Sequence, residues 1–490
     1  MRESGILMHI TSLPGPYGVG AMGEYAFRFV DFLQNAGQHI WQILPLNPTG
    51  YGDSPYQAFS AYAGNPYLID LPALVREGLL QQEEADALCA TEDNARVDFG
   101  ALYANRFPVL KKAYDRFADG AALDAFCAEN EPWLQDYALY QALKSQNGGA
   151  PWYQWEKPLK SREPAALEKA RSELAEEIRF HSFVQYLFFR QWTHLREYAH
   201  EKGVRLMGDV PIYVPYDSAD VWKEPSLFQL DEDLAPTAVA GCPPDGFSED
   251  GQLWGNPLYN WDEMAGNGYR WWTDRLKAAE KLYDIVRIDH FRGLESYWSV
   301  PFGAKTARDG RWVKGPGMEL IEAIREKLPE LQLIAEDLGY LTPEVLQLRD
   351  QSGYPGMKVL EFAFDSREPS DYLPHRYAPN TVCYTGTHDN MTLAQWLESA
   401  SADTLAYAAE YMGLSREEGY VWGMIRTAMS SVSKFCIIPM QDYLELGSEA
   451  RMNFPGTRSQ NNWTWRMEGE TFSEVLAQKI HRLTKLYGRC

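Results

Sequence analysis

Short hydrophobic segments recur along the chain and alternate with longer amphipathic ones. Each short segment is rich in β-branched residues and ends in polar residues, Gly or Pro, which is typical of buried strands. The pattern predicts eight strands, over residues 5–13, 39–48, 204–214, 284–291, 331–339, 358–365, 381–389 and 433–444. Because strands that alternate with helices form parallel sheets, we expect the eight to lie parallel to one another.

Helical patterns lie between these strands. After the first strand, the i, i+3, i+4, i+7 spacing of a buried helix face is followed by Ala26, Phe29, Val30 and Leu33. Residues 184–195 repeat this spacing before the third strand, and Gly37 and Gly203 are placed to end the two helices. Eight such units predict an α/β fold, a (β/α)8 TIM barrel with large insertions between barrel strands. A doubly wound open sheet is the alternative architecture.

Two connections are much longer than ordinary loops. Residues 64–180 are acidic and predict a helix-rich insertion after the second strand, whereas residues 215–282 form an insertion rich in aromatic residues, Gly and Pro after the third. Connections of this length in a compact domain are usually functional. Since no linker composition interrupts the chain, we expect a single catalytic barrel domain over residues 1–490.

The composition restricts the class of ligand. With 45% hydrophobic and 23% charged residues, the 490-residue chain has the composition of a folded soluble protein. A formal charge of −22 argues against nucleic acid or an anionic membrane as partner, because phosphate binding needs clustered Lys and Arg. Neutral ligands remain, and the 16 Trp and 29 Tyr could stack on the apolar faces of sugars.

The cysteines and the start of the chain indicate a compartment. The six cysteines are scattered without a CxxC pair, so neither a zinc site nor a disulfide framework is predicted. The first residues lack a long apolar segment of the kind found in signal peptides. We therefore expect a cytoplasmic protein.

Four acidic residues follow predicted strands. They are Asp209 after the third strand, Asp289 after the fourth, Glu336 after the fifth and Asp389 after the seventh. In a barrel of this type the reacting groups lie at the carboxyl ends of the strands. We therefore expect these acids to converge on one mouth of the barrel.

Two of these acids have surroundings that suit opposite protonation states. Arg287 and Asp289 are two residues apart and face the same way on a strand, so the guanidinium should lower the pKa of Asp289 and keep it ionised, as a nucleophile requires. Glu336 follows an apolar run, and burial near other acids should raise its pKa, as a general acid requires. Such a pair cleaves glycosides, with about 5 to 5.5 Å between the carboxyls in retaining enzymes. Taken singly, each residue could instead be a structural ion pair or a solvated strand end.

A metal site is the competing interpretation of the same positions. His stands next to Asp at 289/290 and again at 388/389. None of the nine histidines forms an HxH or HExxH motif, and neighbouring residues on a strand face opposite ways, so they ligate one ion poorly. Acid/base chemistry is therefore favoured over metal catalysis.

The segments around these acids resemble a known family. RIDHF, AEDLG and THDN are similar to the catalytic segments of the α-amylase clan. Together with GDSPYQAFSAYAGNPYLID, GDVPIYV, CPPDGFSEDGQLWGNPLY and RMNFPGT they resemble the 4-α-glucanotransferases of glycoside hydrolase family 77, also called amylomaltases or disproportionating enzymes. The resemblance runs in order from Ile6 to Trp465.

The resemblance implies a role for each matching residue. Asp289 matches the nucleophile, Glu336 the acid/base, and Asp389 the carboxylate that favours the distorted transition state. Contacts to the sugar at the cleavage point are implied for Arg287, His388 and Asp209. Further substrate-binding positions are implied for Ser54, Tyr56, Trp254 and Asn453, and Phe247 matches the aromatic residue of a flexible loop over the cleft.

The implied reaction is a disproportionation. A segment of α-1,4-glucan would pass, with retention, from a maltooligosaccharide or starch-like donor to the 4-hydroxyl of an acceptor glucan or glucose, through a covalent glycosyl-enzyme. The resemblance implies no cofactor and no metal, and it suits bacterial cytoplasmic maltodextrin metabolism. The insertion at 215–282 could stack acceptors and exclude water, although we expect at least two of its tryptophans Trp222, Trp261, Trp271 and Trp272 to be core.

Three alternatives remain open at this stage. A hydrolase with the same acids would differ only in its choice of acceptor. A catalytically silent glucan-binding protein would bind maltodextrin without forming product, although retention of all three acids and Arg287 argues against it. A metal-dependent barrel hydrolase would lose its activity on dialysis against a chelator.

Overall fold

The computed structural model describes residues 2–50, 52–88, 95–244, 248–364, 370–457, 459–469 and 471–490. The strands in these residues are β1 (Glu3–Leu7), β2 (Ile40–Gln42), β3 (Arg205–Val210), β4 (Ala238–Cys242), β5 (Gln252–Pro257), β6 (Ile285–Ile288), β7 (Ser296–Pro301), β8 (Arg311–Lys314), β9 (Gln332–Ala335), β10 (Gly356–Val359), β11 (Thr381–Tyr384) and β12 (Phe435–Pro439).

Eight of the strands close into a parallel barrel. Their order around the barrel is β1, β2, β3, β6, β9, β10, β11 and β12, and β12 pairs with β1. Each predicted strand supplies one of them, so the predicted barrel is confirmed and the open-sheet alternative is wrong. The strands are shorter than the apolar patterns that predicted them. β11, for example, ends at Tyr384, and the rest of its pattern turns into the loop above the barrel.

The inside of the barrel is packed. The Tyr384 hydroxyl donates to the Gln42 side chain at 2.9 Å, which joins β11 to β2 across two intervening strands, and both side chains are buried. A barrel filled in this way offers no pore, so a ligand can bind only at its ends.

Helices surround the barrel and form most of the insertions. They are α1 (Glu24–Asn35), α2 (Leu71–Arg76), α3 (Gln82–Asp86), α4 (Phe99–Arg116), α5 (Gly120–Glu129), α6 (Glu131–Gln146), α7 (Lys157–Lys160), α8 (Pro164–Glu173), α9 (Ala175–Glu201), α10 (Ala219–Lys223), α11 (Trp261–Gly266), α12 (Arg270–Leu282), α13 (Met318–Lys327), α14 (Pro343–Ser352), α15 (Leu393–Ser399), α16 (Ala402–Met412), α17 (Tyr420–Ser430), α18 (Met440–Tyr443) and α19 (Glu474–Leu486). Among these described residues, no helix combines the length and the apolar character that a membrane span requires.

The two helices predicted from periodicity are present. They are α1 and α9, whose predicted apolar faces are buried. Gly37 and Gly203 follow their ends with φ of 66° and 73°, a left-handed conformation that costs glycine little. These faces pack onto the barrel. Because its strands are parallel, their carboxyl ends lie at the same rim.

A second sheet, which the sequence pattern did not predict, lies beside the barrel. It is antiparallel, with the order β5, β4, β7, β8. The insertion at 215–282 supplies two of these strands, and the connection between β6 and β9 supplies the others. Trp222, Trp271 and Trp272 are buried and Trp261 is half-buried, so the expectation that at least two of the four belong to the core is confirmed.

Candidate active site

The predicted acids lie at the carboxyl ends of the barrel strands. Asp209 belongs to the end of β3, while Asp289 and Glu336 directly follow β6 and β9. The Asp289 N–H donates to the carbonyl of Val210, and the Glu336 N–H to that of Ile288, each at 3.0 Å. The barrel ladder therefore continues one residue beyond the strands and holds these acids at neighbouring positions of the same rim.

Arg287 joins two of the acids. Its Nη1 lies 2.6 Å from Oδ2 of Asp209 and 3.0 Å from Oδ1 of Asp289, and its side chain is 4% exposed. The prediction that Arg287 and Asp289 face the same way is confirmed. The Tyr56 hydroxyl also donates to Oδ2 of Asp209 at 2.8 Å, whereas Oδ1 of Asp209 is buried without a hydrogen-bond partner among the described residues.

The pKa of Asp289 is raised, not lowered as predicted from the sequence. Burial raises the pKa of its carboxyl well above the usual range, and neighbouring carboxylates add to this. These neighbours are Asp209, Glu336 and Asp389. Arg287 acts in the predicted direction, but it also neutralises Asp209, so one guanidinium does not offset burial among several negative charges. The predicted net lowering is therefore wrong.

Glu336 is held through both of its carboxyl oxygens. Oε2 accepts the N–H of His290 and Oε1 accepts that of Leu338, both at 2.7 Å. His290 has φ of 50° and ψ of 46°, a left-handed conformation that is uncommon without glycine and that aims its N–H at Glu336. Burial raises the pKa of Glu336, in the predicted direction. Sequence reasoning missed this role of the His290 backbone, because it depends on a turn.

Asp389 is oriented by groups from the segment after β12. Its Oδ1 accepts a hydrogen bond from Nδ2 of Asn453 at 2.7 Å, and its carbonyl accepts one from Arg451 at 3.0 Å. Its side chain is 44% exposed, so the carboxylate remains open to a ligand. Asn453 was expected as a substrate-binding residue, and the structure places its amide on Asp389. Arg451 was missed, although it stands two residues before Asn453 in the same motif.

His388 and Asp389 do not face opposite ways, as neighbouring residues of a strand were predicted to do. Both follow the end of β11 at Tyr384, so the alternation of a strand does not apply, and Nε2 of His388 lies 3.4 Å from Oδ1 of Asp389. Burial lowers the pKa of His388, which favours the neutral imidazole.

Aromatic rings line the mouth beside the acids. The Tyr56 and His388 rings stack with 5.2 Å between centroids and 18° between planes, and Trp463 lies within 6 Å of both. Trp254 approaches the His290 ring edge-on, with 4.8 Å between centroids. Trp463 was missed by sequence reasoning, since no motif marks it and only the chain path brings it here.

The remaining predicted residues are Ser54 and Phe247. The Ser54 hydroxyl accepts the N–H of Tyr56 at 3.3 Å, so it shapes the turn that presents Tyr56. Phe247 lies outside the described residues.

The donor set suits acid/base chemistry better than metal binding. In the described ranges, no group of three or more His, Cys, Asp and Glu side chains is arranged to hold a metal ion. The centre of the acid cluster is occupied by Arg287, which contacts Asp209 and Asp289 where a cation would otherwise neutralise them.

Glu361 is a further acid, buried beneath the loop that carries Asp389. Its N–H donates to the carbonyl of Thr385, and its carboxylate accepts the N–H of Met391. Gly386 allows this approach, because a Cβ there would lie 2.7 Å from Oε1 of Glu361. Burial raises the pKa of Glu361 well above its usual range, Asp442 adds to this and Arg451 opposes it. The net direction favours the protonated acid under this loop.

We therefore expect Glu361→Gln to behave differently from Glu361→Ala. Gln supplies a neutral group of the same shape, so kcat/KM should stay within about threefold of the original enzyme. Ala leaves the Met391 N–H unpaired and should lower the free energy of unfolding by about 1–3 kcal/mol, with a larger loss of kcat. Steady-state kinetics and thermal unfolding of both variants check this. Equal damage in the two variants would show that the ionised carboxylate is required.

Comparison with known proteins reveals similarity over the whole chain. A family model described as 4-alpha-glucanotransferase matches residues 8–472. The 4-alpha-glucanotransferase of Thermus thermophilus is 50% identical over 479 residues, with 95% of each chain covered. That of Clostridium butyricum is 48% identical over 487 residues, which cover 99% of this chain and 100% of the relative.

A solved structure shows the same architecture. The amylomaltase from Streptococcus agalactiae, solved in complex with acarbose, superposes with a TM-score of 0.97 at 43% sequence identity and 100% coverage of both chains. The amylomaltase from Corynebacterium glutamicum is more distant, with a TM-score of 0.78 and 21% identity, and this chain covers 75% of it. The second comparison supports the fold alone.

Proposed function

Since the chain belongs to the 4-alpha-glucanotransferase family, we propose that this transglycosylating enzyme works by retention, through a covalent glycosyl-enzyme. The observation that carries the proposal is the placement of Asp289 and Glu336. They follow the neighbouring strands β6 and β9, and the His290 N–H that follows Asp289 holds the Glu336 carboxyl. Two carboxyls so fixed can act from the two sides of one glycosidic bond.

In the first step, Asp289 attacks the anomeric carbon of the donor. The bond to the leaving oxygen breaks, and Glu336 gives that oxygen its proton. In the second step, Glu336 takes the proton of an acceptor 4-hydroxyl, whose oxygen attacks the anomeric carbon and releases Asp289. The contact between Arg287 and Asp289 supports the nucleophile role, because it orients one carboxylate oxygen and leaves the other free.

We propose that the remaining polar groups of the site bind the sugar at the cleavage point. The exposed carboxylate of Asp389 can accept a sugar hydroxyl, and Asp209 stays proposed as a further contact to the sugar. Arg287 and His388 complete this set. Hydrogen bonds to the ring hydroxyls strengthen as the sugar distorts toward the transition state, which is the role we assign to Asp389.

The aromatic rings on the two sides of the acids fit a glucan chain that runs through the mouth. Tyr56 and Trp254 are proposed to stack on sugar rings on opposite sides of the cleavage point. Ser54, Asn453 and Phe247 stay proposed as further substrate-binding residues. We propose maltooligosaccharides and α-1,4-glucans as donors and acceptors, glucose as an acceptor, no cofactor, and the cytoplasm as the location.

Incubation with maltotriose alone tests the reaction. A ladder of longer maltooligosaccharides, formed together with glucose, is expected on chromatography over time. An acceptor hydroxyl held in place gains an effective concentration that bulk water lacks, so transfer should dominate over hydrolysis. Glucose and maltose without longer products would identify a hydrolase instead.

The acid pair predicts the pH dependence of this reaction. Burial raises the pKa of both Asp289 and Glu336, and their charges repel, so over a range of pH the pair holds one proton. In the active form we place this proton on Glu336 and leave Asp289, beside Arg287, ionised. Below this range both carboxyls are protonated and Asp289 cannot attack, whereas above it both are ionised and Glu336 cannot donate. We expect a bell-shaped profile of kcat/KM for maltotriose, with its acid limb above the pKa of about 4 that free carboxyls show. An acid limb at or below that value would contradict the proposed burial of the pair.

A further inference from the structure

Arg292 is a buried residue that links both segments around Glu336. It lies two residues after His290, its side chain is almost fully buried, and its Nη2 donates to Ser296 at 3.2 Å. Its Nη1 donates to the carbonyl of Tyr340 at 2.6 Å. Arg292 therefore ties the segment after β6 to the segment after β9.

The same guanidinium also supports an exposed tryptophan. Trp312, on β8 of the antiparallel sheet, has the Arg292 carbon Cζ 3.8 Å from its ring centroid. Trp298 meets it edge-on, with 5.0 Å between centroids. The Trp312 side of this arrangement is nevertheless 38% exposed, and its indole N–H meets no acceptor in the part of the chain that the structure describes. The ring is thus packed against Arg292 and Trp298, while 38% of the residue stays open to solvent.

Tyr340 is a second exposed aromatic residue, and Arg292 holds its backbone carbonyl. It is 71% exposed, the highest value among the exposed tyrosines Tyr103, Tyr340 and Tyr420. Its side chain has no ring or cation contact with other described residues, although it is close enough to Arg292 to affect the pKa of that group. Exposure of a large ring costs hydrophobic free energy, so two exposed rings beside one buried arginine indicate a surface kept for a ligand.

We propose that Trp312, packed on Arg292, and Tyr340, whose backbone carbonyl Arg292 holds, form a glucan-binding platform outside the cleavage site that engages only longer α-1,4-glucan chains. The proposal rests on the proposed function, because the ligand follows from the reaction next to it. Sugar rings have apolar faces that stack on aromatic rings and hydroxyls that can accept from an indole N–H. A stack on a firmly held ring also loses little side-chain entropy on binding.

The Tyr340 end of the platform lies close to the active site along the chain. Tyr340 follows Glu336 by four residues, and a chain of that length spans at most about 14 Å. The N–H of Leu338, midway between them, holds the Glu336 carboxyl. A glucan of several units could therefore occupy the cleavage site and the platform together, whereas a trisaccharide at the cleavage point would leave the platform empty.

Kinetics with short and long substrates test this platform. We expect Trp312→Ala and Tyr340→Ala each to raise KM for amylose by about three- to tenfold, the loss of one aromatic stack. The kcat at saturating amylose and the kcat/KM for maltotriose should stay within about twofold, because neither ring contacts the reacting groups. Trp312→Phe keeps a ring at the position and should recover part of the affinity for amylose.

The controls distinguish a loss of glucan binding at the platform from a loss of stability and from a loss of the transfer reaction itself. Tyr420→Ala removes an aromatic residue whose exposure, 41%, is close to that of Trp312, at the start of α17, and should change the kinetics with neither substrate. Thermal unfolding of every variant shows whether the fold is kept, and Tyr340→Ala carries the test if Trp312→Ala loses stability. Equal loss with maltotriose and amylose, or no loss with either, would overturn the platform. Absence of transfer from maltotriose by the unaltered enzyme would instead overturn the proposed function.

Discussion

The Asp289→Asn enzyme is expected to turn over maltotriose about 10⁴-fold or more slowly than the original enzyme, because removal of a nucleophile costs rate on this scale. An amide oxygen is too weak a nucleophile to form the glycosyl-enzyme. Asn has the shape of Asp and can still accept from Arg287, so the pocket should persist. The measurement is the initial rate of glucose release and of maltooligosaccharide formation.

The melting temperature of this variant is a control, and the direction of its change can be predicted at each pH. The pKa of Asp289 is raised in the folded protein, so its cost to the fold grows as the pH rises from the pKa of a free aspartate, about 4, and is complete above the raised pKa. Asn removes this charge. The melting temperature of Asp289→Asn should therefore equal that of the original enzyme at acidic pH and match or exceed it at neutral pH. A correctly folded variant that keeps more than about 1% of the turnover would remove Asp289 from the nucleophile role.

The Glu336→Gln enzyme should lose about 10²- to 10⁴-fold in turnover of maltooligosaccharides, the usual contribution of a general acid and base. The loss should depend on the leaving group. With α-maltosyl fluoride as donor, departure of fluoride needs no proton, so Asp289 can still form the glycosyl-enzyme. The glycosyl-enzyme then lacks the general base that its hydrolysis or transfer requires, so it should accumulate.

Mass spectrometry of the intact protein distinguishes the two acids. After mixing with the fluoride donor, Glu336→Gln should gain the mass of one maltosyl group, located on the peptide that contains Asp289. Asp289→Asn, the matched control, should gain none. If Glu336→Gln is as slow with the fluoride as with maltotriose and forms no adduct, Glu336 is not the proton donor.

The positions of the site could be predicted because they depend on local sequence. Strands of a parallel barrel are buried on both faces, so they appear as apolar runs, and the polar residues that end them mark one rim. Asp209, Asp289 and Glu336 were predicted in this way, and the contact of Arg287 with Asp289 follows from their spacing of two. The helices α1 and α9 were predicted from the 3.6-residue period of a buried face.

The energetics of the site could not be predicted in the same way. The pKa of Asp289 depends on the sum of burial and all nearby charges, and sequence spacing revealed only Arg287. Trp463 reaches the Tyr56 ring from more than 400 residues away along the chain, and Glu361 lies beneath the Asp389 loop, so neither carries a local signal. The antiparallel sheet was missed because its four short strands come from two separate connections.

The sequence by itself determined the barrel, the order of its strands and the rim at which the acids meet, since period and strand ends are properties of neighbouring residues. The tertiary structure alone decided how many charges share the pocket, which backbone N–H groups hold Glu336, and which rings face the solvent beside it. These properties arise from residues far apart in the chain, and their free energies depend on burial, which exists only once the chain has folded.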